Sequence, residues 1–196
     1  MKRHAPATTR NRDAIIDVLD GLLRTNGSMA LEIASGTGEH VAAFAHRFPT
    51  VTWQPSDPDP DARASIAAWC AEAPNVFPPL DLDAASAEWP IEWADAIVCI
   101  NMVHISPWKA TVGLFTQSSK LLPQGAPLIL YGPYFRKDHP TAPTNFAFDE
   151  SLKARNAEWG IRWLEDVTEL AEAKGFVLAA IHEMPANNLS VVCRRG

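Results

Sequence analysis

The 196-residue sequence is poor in cysteine and in positive charge, and it contains no long apolar run. Its three cysteines are scattered, so neither a disulfide framework nor a zinc or other metal site is expected. Its net charge of −6 disfavours a nonspecific polyanion binder, because phosphate contact needs a surplus of Lys and Arg. No apolar run approaches the roughly 18 residues of a membrane span, and the polar N-terminus predicts no signal peptide. We therefore expect a cytoplasmic protein that binds neither a membrane nor, directly, nucleic acid.

The length of the chain favours a single α/β domain. We expect an N-terminal arm and helix over residues 1–27, the first nine residues being disordered or draped over the body, and one domain over 28–196. Apolar runs of strand length alternate with helical periodicity, which predicts a mostly parallel sheet with right-handed crossovers. The predicted strands are 28–34, 51–55, 76–80, 94–101, 127–132, 176–184 and 188–194. The predicted helices are 13–24, 38–48, 61–72, 107–122, 148–159 and 164–174.

The end of the chain distinguishes this pattern from a plain dinucleotide-binding fold. Two strands, 176–184 and 188–194, follow one another across a turn at 185–187, so they predict an antiparallel hairpin at the sheet edge. A dinucleotide-binding domain would close with another helical crossover. Residues 133–146 are rich in Pro and Thr and predict a long loop, which at that length often serves as a lid.

The most informative segment is the turn between the first predicted strand and the helix after it. Gly36 and Gly38 can adopt positive φ and let a ligand lie against the main chain, while the new helix directs free N–H groups at it. Asp57 ends the next strand about 20 residues later, where an acid suits a ribose diol. Val41 stands where the third glycine of a dinucleotide fingerprint would be, which disfavours a dinucleotide.

The same turn lacks phosphate-binding chemistry. No Gly-Lys-Ser/Thr ending is present, and Glu32 just before the turn would repel a pyrophosphate but accept a hydrogen bond from an ammonium group. A cofactor with a ribose, a cationic amino-acid end and no phosphate fits these facts, and S-adenosylmethionine is such a cofactor. The alternative is a tight turn that binds nothing.

Five separated blocks carry a resemblance to a known family. Residues 31–38, 53–57, 101–108, 131–134 and 184–189 resemble the domain-of-unknown-function 938 family, which includes methyltransferase-like protein 26. The resemblance implies a class I S-adenosylmethionine-dependent methyltransferase. Its fold is a seven-stranded, mostly parallel, doubly wound α/β sheet of Rossmann-like type with a C-terminal antiparallel hairpin. It implies no particular methyl acceptor.

Ligands of open α/β sheets bind beyond the carboxyl ends of the strands, where we place the cofactor site. The cofactor-binding candidates are Glu32, Ala34, Ser35, Gly36, Gly38, Asp57, Asp81, Leu82, Asn101 and Met102. Asp81 is expected to accept from the adenine amino group; the alternative is that Asp81 or Asp83 caps the short segment that follows. Asn101 is expected to hold the methionine ammonium group or to orient the substrate.

The class I resemblance implies that the strand ending at Asn101 lies next to the transferable methyl group. The catalytic candidates are His104, Asn101, Tyr131 and Tyr134. His104 would be a base near neutral pH if its environment leaves it unshifted, and the alternative is a buried core histidine. The tyrosines, the only two in the chain, would suit a sulfonium or a cationic substrate.

Further polar and aromatic residues are expected on the rim of the same site and favour a small polar acceptor. The substrate candidates are Arg12, Trp108, Asn145, Arg162, Asn187 and Asn188. Asn11 would accompany Arg12 in folding over the pocket, and Arg162 would bind an acidic group. For Trp108 the alternative is core packing, and for the others a solvated surface. No particular oligomeric state is indicated.

Three other functions remain open at this stage. One is a protein or RNA methyltransferase that needs a partner subunit, and another is a cofactor-binding interaction module without catalysis. The third is an NAD-dependent oxidoreductase, which the missing third glycine and the terminal hairpin oppose. The first reading, a small-molecule methyltransferase, agrees best with an acidic domain that carries no added recognition domain.

Overall fold

The computed structural model describes residues 1–23 and 27–196, and in these parts seven strands form one sheet. The strands are β1 (Met29–Ile33), β2 (Thr52–Pro55), β3 (Ala96–Ile100), β4 (Pro127–Phe135), β5 (Arg162–Trp163), β6 (Phe176–Met184) and β7 (Asn188–Arg195). The order across the sheet is β2-β1-β3-β4-β7-β6, with β5 pairing with β4 off this path. Strands β2, β1, β3 and β4 are parallel, whereas β7 is antiparallel to both β4 and β6. The predicted α/β fold with its terminal hairpin is thus confirmed.

Helices connect the parallel strands and lie on both faces of the sheet. They are α1 (Thr8–Asp20), α2 (Glu39–Arg47), α3 (Pro60–Trp69), α4 (Trp108–Leu121), α5 (Pro143–Arg155) and α6 (Leu164–Ala173). Two short 3₁₀ turns, Met102–His104 and Pro185–Asn187, follow β3 and join β6 to β7. In the described parts of the chain, none of the helices combines the length and the apolarity that a bilayer crossing requires.

Two apolar clusters, one on each face of the sheet, form the core. Strands β3 and β4 are buried along their whole length, as expected of central strands covered on both faces. Alternate side chains go to opposite clusters because a strand has a period of two residues. Ile97 and Leu128 pack with Phe115 and Phe176 on one face, whereas the side chains of Val98 and Ile129 join the other cluster.

The third predicted strand, 76–80, is wrong as a strand. Only two isolated bridges form there, Trp53 with Val76 and Ser56 with Leu80. Pro78 and Pro79 interrupt the ladder, because proline has no N–H group to donate. The seventh strand is instead β5, a two-residue segment that the sequence pattern did not predict.

The expected long loop over 133–146 is also wrong. Strand β4 continues to Phe135, and α5 begins at Pro143, so the loop covers only 136–142. The aromatic residues after Gly132 favour an extended strand, and proline is well suited to the first turn of a helix. Thr144 and Asn145 therefore lie on a helix, and not on a mobile lid.

The N-terminal arm lies over the domain, along the first turns of α2 and along α3. The Ala5 N–H donates to Glu39 Oε2 at 2.6 Å, and the Arg3 N–H donates to Ser65 Oγ at 2.8 Å. Helix α1 begins at Thr8, five residues before the predicted start at residue 13, and ends at Asp20. The last predicted helical position, residue 24, lies outside the described residues.

Candidate functional site

The turn after β1 is shaped so that its backbone packs closely on α3. Gly38 has φ of 88°, and a Cβ atom there would lie 2.6 Å from the Ile66 Cα. Only glycine fits, because the obstacle is backbone and the φ is in the left-handed region. Ala34, at the other end of the turn, also has a positive φ, of 56°, which is uncommon for a residue with a Cβ.

Asp57 ties this turn to the start of α3. Its Oδ2 accepts from the Gly36 N–H and its Oδ1 from the Asp59 N–H, both at 2.9 Å. Burial raises the pKa of Asp57, and the two backbone hydrogen bonds act in the opposite direction. A carboxylate has about four lone-pair sites, so two acceptor positions remain for a hydroxyl-bearing ligand.

Glu32 is a buried acid directly behind the turn. It is 1% exposed, and its Oε2 has no hydrogen-bond partner among the described residues. Burial raises its pKa to about 8, the charge of Asp57 adds to the rise, and a hydrogen bond with Ser35 opposes it. The Ser56 hydroxyl donates to the Glu32 carbonyl oxygen at 2.8 Å and fixes the end of the strand. An unpartnered buried carboxyl oxygen of this kind is suited to a cationic ligand.

The two acids after Leu80, Asp81 and Asp83, have different surroundings. Asp83 Oδ1 accepts from the Ala85 N–H at 2.9 Å, so Asp83 stabilises the turn that follows it. Asp81 is left at the surface with its side chain 73% exposed, paired with Arg63 at 3.1 Å. Leu82 between them is buried in the same apolar cluster as Met102.

The backbone turns sharply where β3 ends. Asn101 has φ of 64°, and its N–H donates to the Tyr131 carbonyl at 2.8 Å. Because the chain turns here, the Asn101 side chain lines a cavity, while Met102 beside it packs into the core.

Arg162 supports this turn from behind. Its Nη2 donates to the carbonyls of Ser106 at 2.9 Å and Glu158 at 2.8 Å, and its guanidinium lies 5.7 Å from the Trp108 ring centroid. The prediction that Arg162 and Trp108 contact a substrate gains no support from this arrangement. The Arg162 donors are committed to carbonyl groups, and neither residue lines the cavity.

His104 follows at the end of the 3₁₀ turn and is 3% exposed. Its ring packs against Gly132, where a Cβ atom would come within 2.9 Å of Nδ1 and Cε1, and it meets Phe148 edge-on at 5.7 Å. Burial lowers its pKa to about 3, with the charge of Arg162 as a second cause. His104 is therefore buried, as the alternative supposed, and with this pKa its ring is neutral across the physiological range.

A cavity of about 620 Å³ opens beside His104, a volume typical of small-molecule sites. It is bounded by α1, the turn after β3, the end of β4, the start of α5 and the β6–β7 connection. The structure brings together here seven of the predicted residues: Asn11, Asn101, His104, Tyr131, Asn145, Asn187 and Asn188. Asn145 is 8% exposed, and its amide donates to the Asn187 carbonyl at 3.4 Å, which joins α5 to the β6–β7 connection.

Two further candidates lie elsewhere. Tyr134 is on the opposite face of β4 from Tyr131, and its hydroxyl is buried without a partner among the described residues. Burial raises the pKa of Tyr134, and the nearby Cys99 and Cys193 add to the rise. Arg12 bonds Asp13 at 2.9 Å and faces a different groove, between α1 and α2. Neither residue lines the cavity.

Sequence reasoning missed Arg10 and Phe148, which line the cavity. Arg10 shares a face of α1 with Ala7 and Asn11, at the three- and four-residue spacing of a helix. This helical spacing could have indicated Arg10, but the predicted helix starts at residue 13 and leaves these positions outside it.

Polar side chains lie next to one another between α2 and the cavity wall. The His40 ring nitrogen Nε2 lies 2.9 Å from Asn11 Oδ1, and burial lowers the pKa of His40 to about 4, so the ring is neutral. Burial raises the pKa of Tyr131, while a hydrogen bond with the Asn11 side chain and the charge of Arg10 lower it. Arg10, Asn11 and Tyr131 all line the cavity, so this part of α1 forms the wall beside Tyr131.

Comparisons with known proteins agree with this architecture. A family model described as a protein of unknown function, DUF938, matches residues 2–195. An O-methyltransferase family protein from Burkholderia thailandensis superposes with a TM-score of 0.81 at 15% identity, over 97% of this chain and 57% of that one.

Two more solved structures give the same result. For the O-methyltransferase family 2 protein from Planctomyces limnophilus, in complex with apigenin, the TM-score is 0.81 at 17% identity, over 95% of this chain and 56% of that one. For mitomycin 7-O-methyltransferase MmcR the TM-score is 0.79 at 16% identity, over 93% of this chain and 53% of that one. The chain spans a little over half the length of the structures it matches. At these identities the likeness shows the fold alone.

Proposed function

Because the chain belongs to the DUF938 family and has the class I methyltransferase fold, we propose that it transfers a methyl group from S-adenosylmethionine to a small polar acceptor. The observation that carries the proposal is the unpartnered Glu32 carboxyl behind a glycine turn that Asp57 closes. A sheet that only needed a tight turn would have no use for a buried acid with a free oxygen. The narrower likeness to methyltransferase-like protein 26 stays a prediction.

The residues present fit this cofactor. Glu32 would accept from its ammonium group, Asp57 from its ribose hydroxyls, and Asp81 from its adenine amino group. Ala34, Leu82 and Met102 contribute to one apolar cluster at this edge of the sheet, which suits the flat face of a base. When bound, the cofactor supplies a methyl group already activated on a sulfonium, so the protein chiefly has to align the acceptor.

The cavity beside His104 is the proposed acceptor site. Asn101 lines it and also directly follows β3, one strand from the glycine turn, so it joins the cofactor and acceptor sites. His104 presents a neutral ring to the cavity and accepts a hydrogen bond from a hydroxyl or acid group. With a pKa of about 3 it is a weak base, so it takes a full proton only from an acidic donor. Its proposed role is mainly to orient the acceptor.

Calorimetry with S-adenosylmethionine and with its demethylated product tests the cofactor site. Asp57→Ala removes a charged acceptor whose hydrogen bonds are each worth about 1.5–3 kcal/mol, so we expect at least about tenfold weaker binding. Asp61→Ala is the matched control, because Asp61 is an exposed acid four residues later, on the first turn of α3. Wild-type protein that binds neither compound, or equal affinity in folded Asp57→Ala, would overturn the assignment.

Transfer itself is tested with a labelled methyl donor and a metabolite extract. The wild type should place label on one or a few small molecules, and His104→Ala should retain cofactor affinity while label incorporation falls. Tyr134→Phe is the control, because Tyr134 does not line the cavity, and its label incorporation should equal that of the wild type. Label found only on protein or RNA in the extract would contradict a small-molecule acceptor.

A further inference from the structure

The charge of the cavity is unlike that of the protein. The chain carries 23 acidic residues and a net charge of −6, yet the described residues that line the cavity include no Asp, Glu or Lys. Their one formally charged side chain is Arg10, and the other polar groups are mainly asparagine amides. A net positive cavity in an acidic domain points to selection for a negative ligand.

Arg10 is available to such a ligand. In the parts of the chain that the structure describes, no carboxylate pairs with it, whereas Arg12, two residues later, is held by Asp13 at 2.9 Å. Arg10 and Tyr131 line the same cavity, and the charge of Arg10 lowers the pKa of Tyr131. A free guanidinium offers a fork of donors that matches the two oxygens of a carboxylate.

Tyr131 supplies a second donor to the same place. Asn11 Oδ1 accepts from the His40 ring, so an interaction of Asn11 with the Tyr131 oxygen comes from its NH₂ group as donor. That direction agrees with the lowering effect of Asn11 on the pKa of Tyr131. The Tyr131 proton is then free to point into the cavity, and the wall presents two donors toward one ligand group.

An amine acceptor suits this site poorly. An ammonium group would lose its hydration beside Arg10 with no carboxylate to compensate it. The neutral His104 ring, with its low basicity, could not remove a proton from a group that titrates near 10. Anionic oxygens need no base, and the apolar walls formed by Ile105, Pro133 and Phe148 accommodate a ring or a carbon chain.

We propose that the cavity selects acceptors with an anionic oxygen, a carboxylate or a phenolate, and that Arg10 recognises this charge. The proposal rests on the proposed methyl transfer, whose acceptor class it specifies. An oxygen lone pair of the acceptor forms the new O–CH₃ bond as the C–S bond of the sulfonium breaks, and the C–S electron pair stays on sulfur. The negative charge of the acceptor and the positive charge of the sulfonium cancel, so no proton has to move.

Three probes with one ring and different charges test this: benzoate, benzamide and benzylammonium. Binding is measured by NMR titration at about pH 7 with the demethylated cofactor product present. We expect benzoate to bind at least tenfold more tightly than benzylammonium. Arg10→Gln should weaken benzoate at least fivefold and leave benzamide unchanged, whereas Arg10→Lys should keep most of the preference. Arg12→Gln is the matched control and should behave as the wild type.

The outcomes separate the two proposals. Equal affinity for benzoate and benzylammonium, or an unchanged ratio of benzoate to benzamide affinity in Arg10→Gln, would overturn the assignment of Arg10 and of the acceptor class. If the demethylated product binds in that case, the cofactor assignment stands alone. Conversely, benzoate selectivity in a protein that binds no cofactor would support an anion-selective cavity and refute methyl transfer.

Discussion

Binding of S-adenosylmethionine at about pH 6.5 is expected to release close to one proton per site, because Glu32 is protonated in the free protein and ionised in the complex. The carboxyl is 1% exposed, and burial raises its pKa to about 8. An ammonium group placed against it favours the charged form and returns the pKa toward its ordinary range. The released proton therefore measures whether a cation occupies this position.

The magnitude follows from that pKa of about 8. Such a group is about 97% protonated at about pH 6.5 and about 10% protonated at about pH 9. Proton release should accordingly fall from nearly one to about 0.1 over this range. Below the pKa, ionising Glu32 before binding costs about 1.4 kcal/mol per pH unit. Cofactor affinity should therefore fall about tenfold for each unit of acidification below 8.

Calorimetry in two buffers of different ionisation enthalpy measures the release directly. Glu32→Gln should bind more weakly and release no proton at either pH. Glu39→Gln is the control, an acid at the same turn. Burial would raise the pKa of Glu39, but its hydrogen bonds with Ala5, Thr37 and His4 outweigh burial and lower it. It is therefore already ionised and should not contribute. Equal release by Glu32→Gln, or release that does not change between the two pH values, would refute the reasoning.

Three further predictions follow from packing and charge. Gly38→Ala places a Cβ 2.6 Å from the Ile66 backbone at a positive φ, so urea unfolding should show a loss of about 2–4 kcal/mol; wild-type stability would contradict this. Arg162→Met removes the positive charge that lowers the pKa of His104; histidine NMR titration should show a higher pKa that stays below about 6.5 because burial persists, and an unchanged value would be contrary. In the free protein, Glu32 stabilises the fold below its unfolded-state pKa of about 4.5 and loses that contribution as the pH rises through about 8. Glu32→Gln should therefore gain stability relative to wild type over that interval, and a constant difference would exclude the buried-acid account.

Local rules were sufficient for the cofactor side of the site. A strand, a glycine turn and a helix follow one another directly in the chain, and Asp57 lies just beyond the end of the adjacent parallel strand. Parallel neighbours bring their carboxyl ends to one edge of the sheet, so the closeness of Asp57 to Gly36 follows from topology alone. The buried state of Glu32 also follows, since it lies within a central strand.

Predicting the residues of the acceptor cavity required the true ends of β4 and α1, which extend beyond the ends that the sequence pattern predicts. The sequence pattern predicts a loop after residue 132, which would place Tyr131 and Tyr134 together. Strand β4 in fact continues to Phe135, and residues three apart on a strand point to opposite faces. In the same way, starting α1 at Thr8 puts Arg10 on the cavity face and Arg12 on another.

The role of Arg162 could not be predicted from local pattern. It reaches carbonyl groups more than fifty positions away in the chain, at Val103 and Ser106, and such a contact depends on tertiary packing. An arginine near a glycine in a polar segment is typical of a surface anion site. Here the same donors stabilise the backbone that carries His104.

Backbone strain locates the site independently of side-chain chemistry. In the described parts of the chain the non-glycine residues with positive φ are Ala34, Asn101, Ala186 and Asn187, at 56°, 64°, 58° and 58°. All four lie at the carboxyl edge of the parallel strands, because the β6–β7 connection meets the end of β4. Such conformations cost about 1–3 kcal/mol each and persist only where the surroundings enforce them. Alanine has no local preference for this region, so its presence at both the glycine turn and the cavity shows that tertiary structure, more than chain propensity, determines the backbone there.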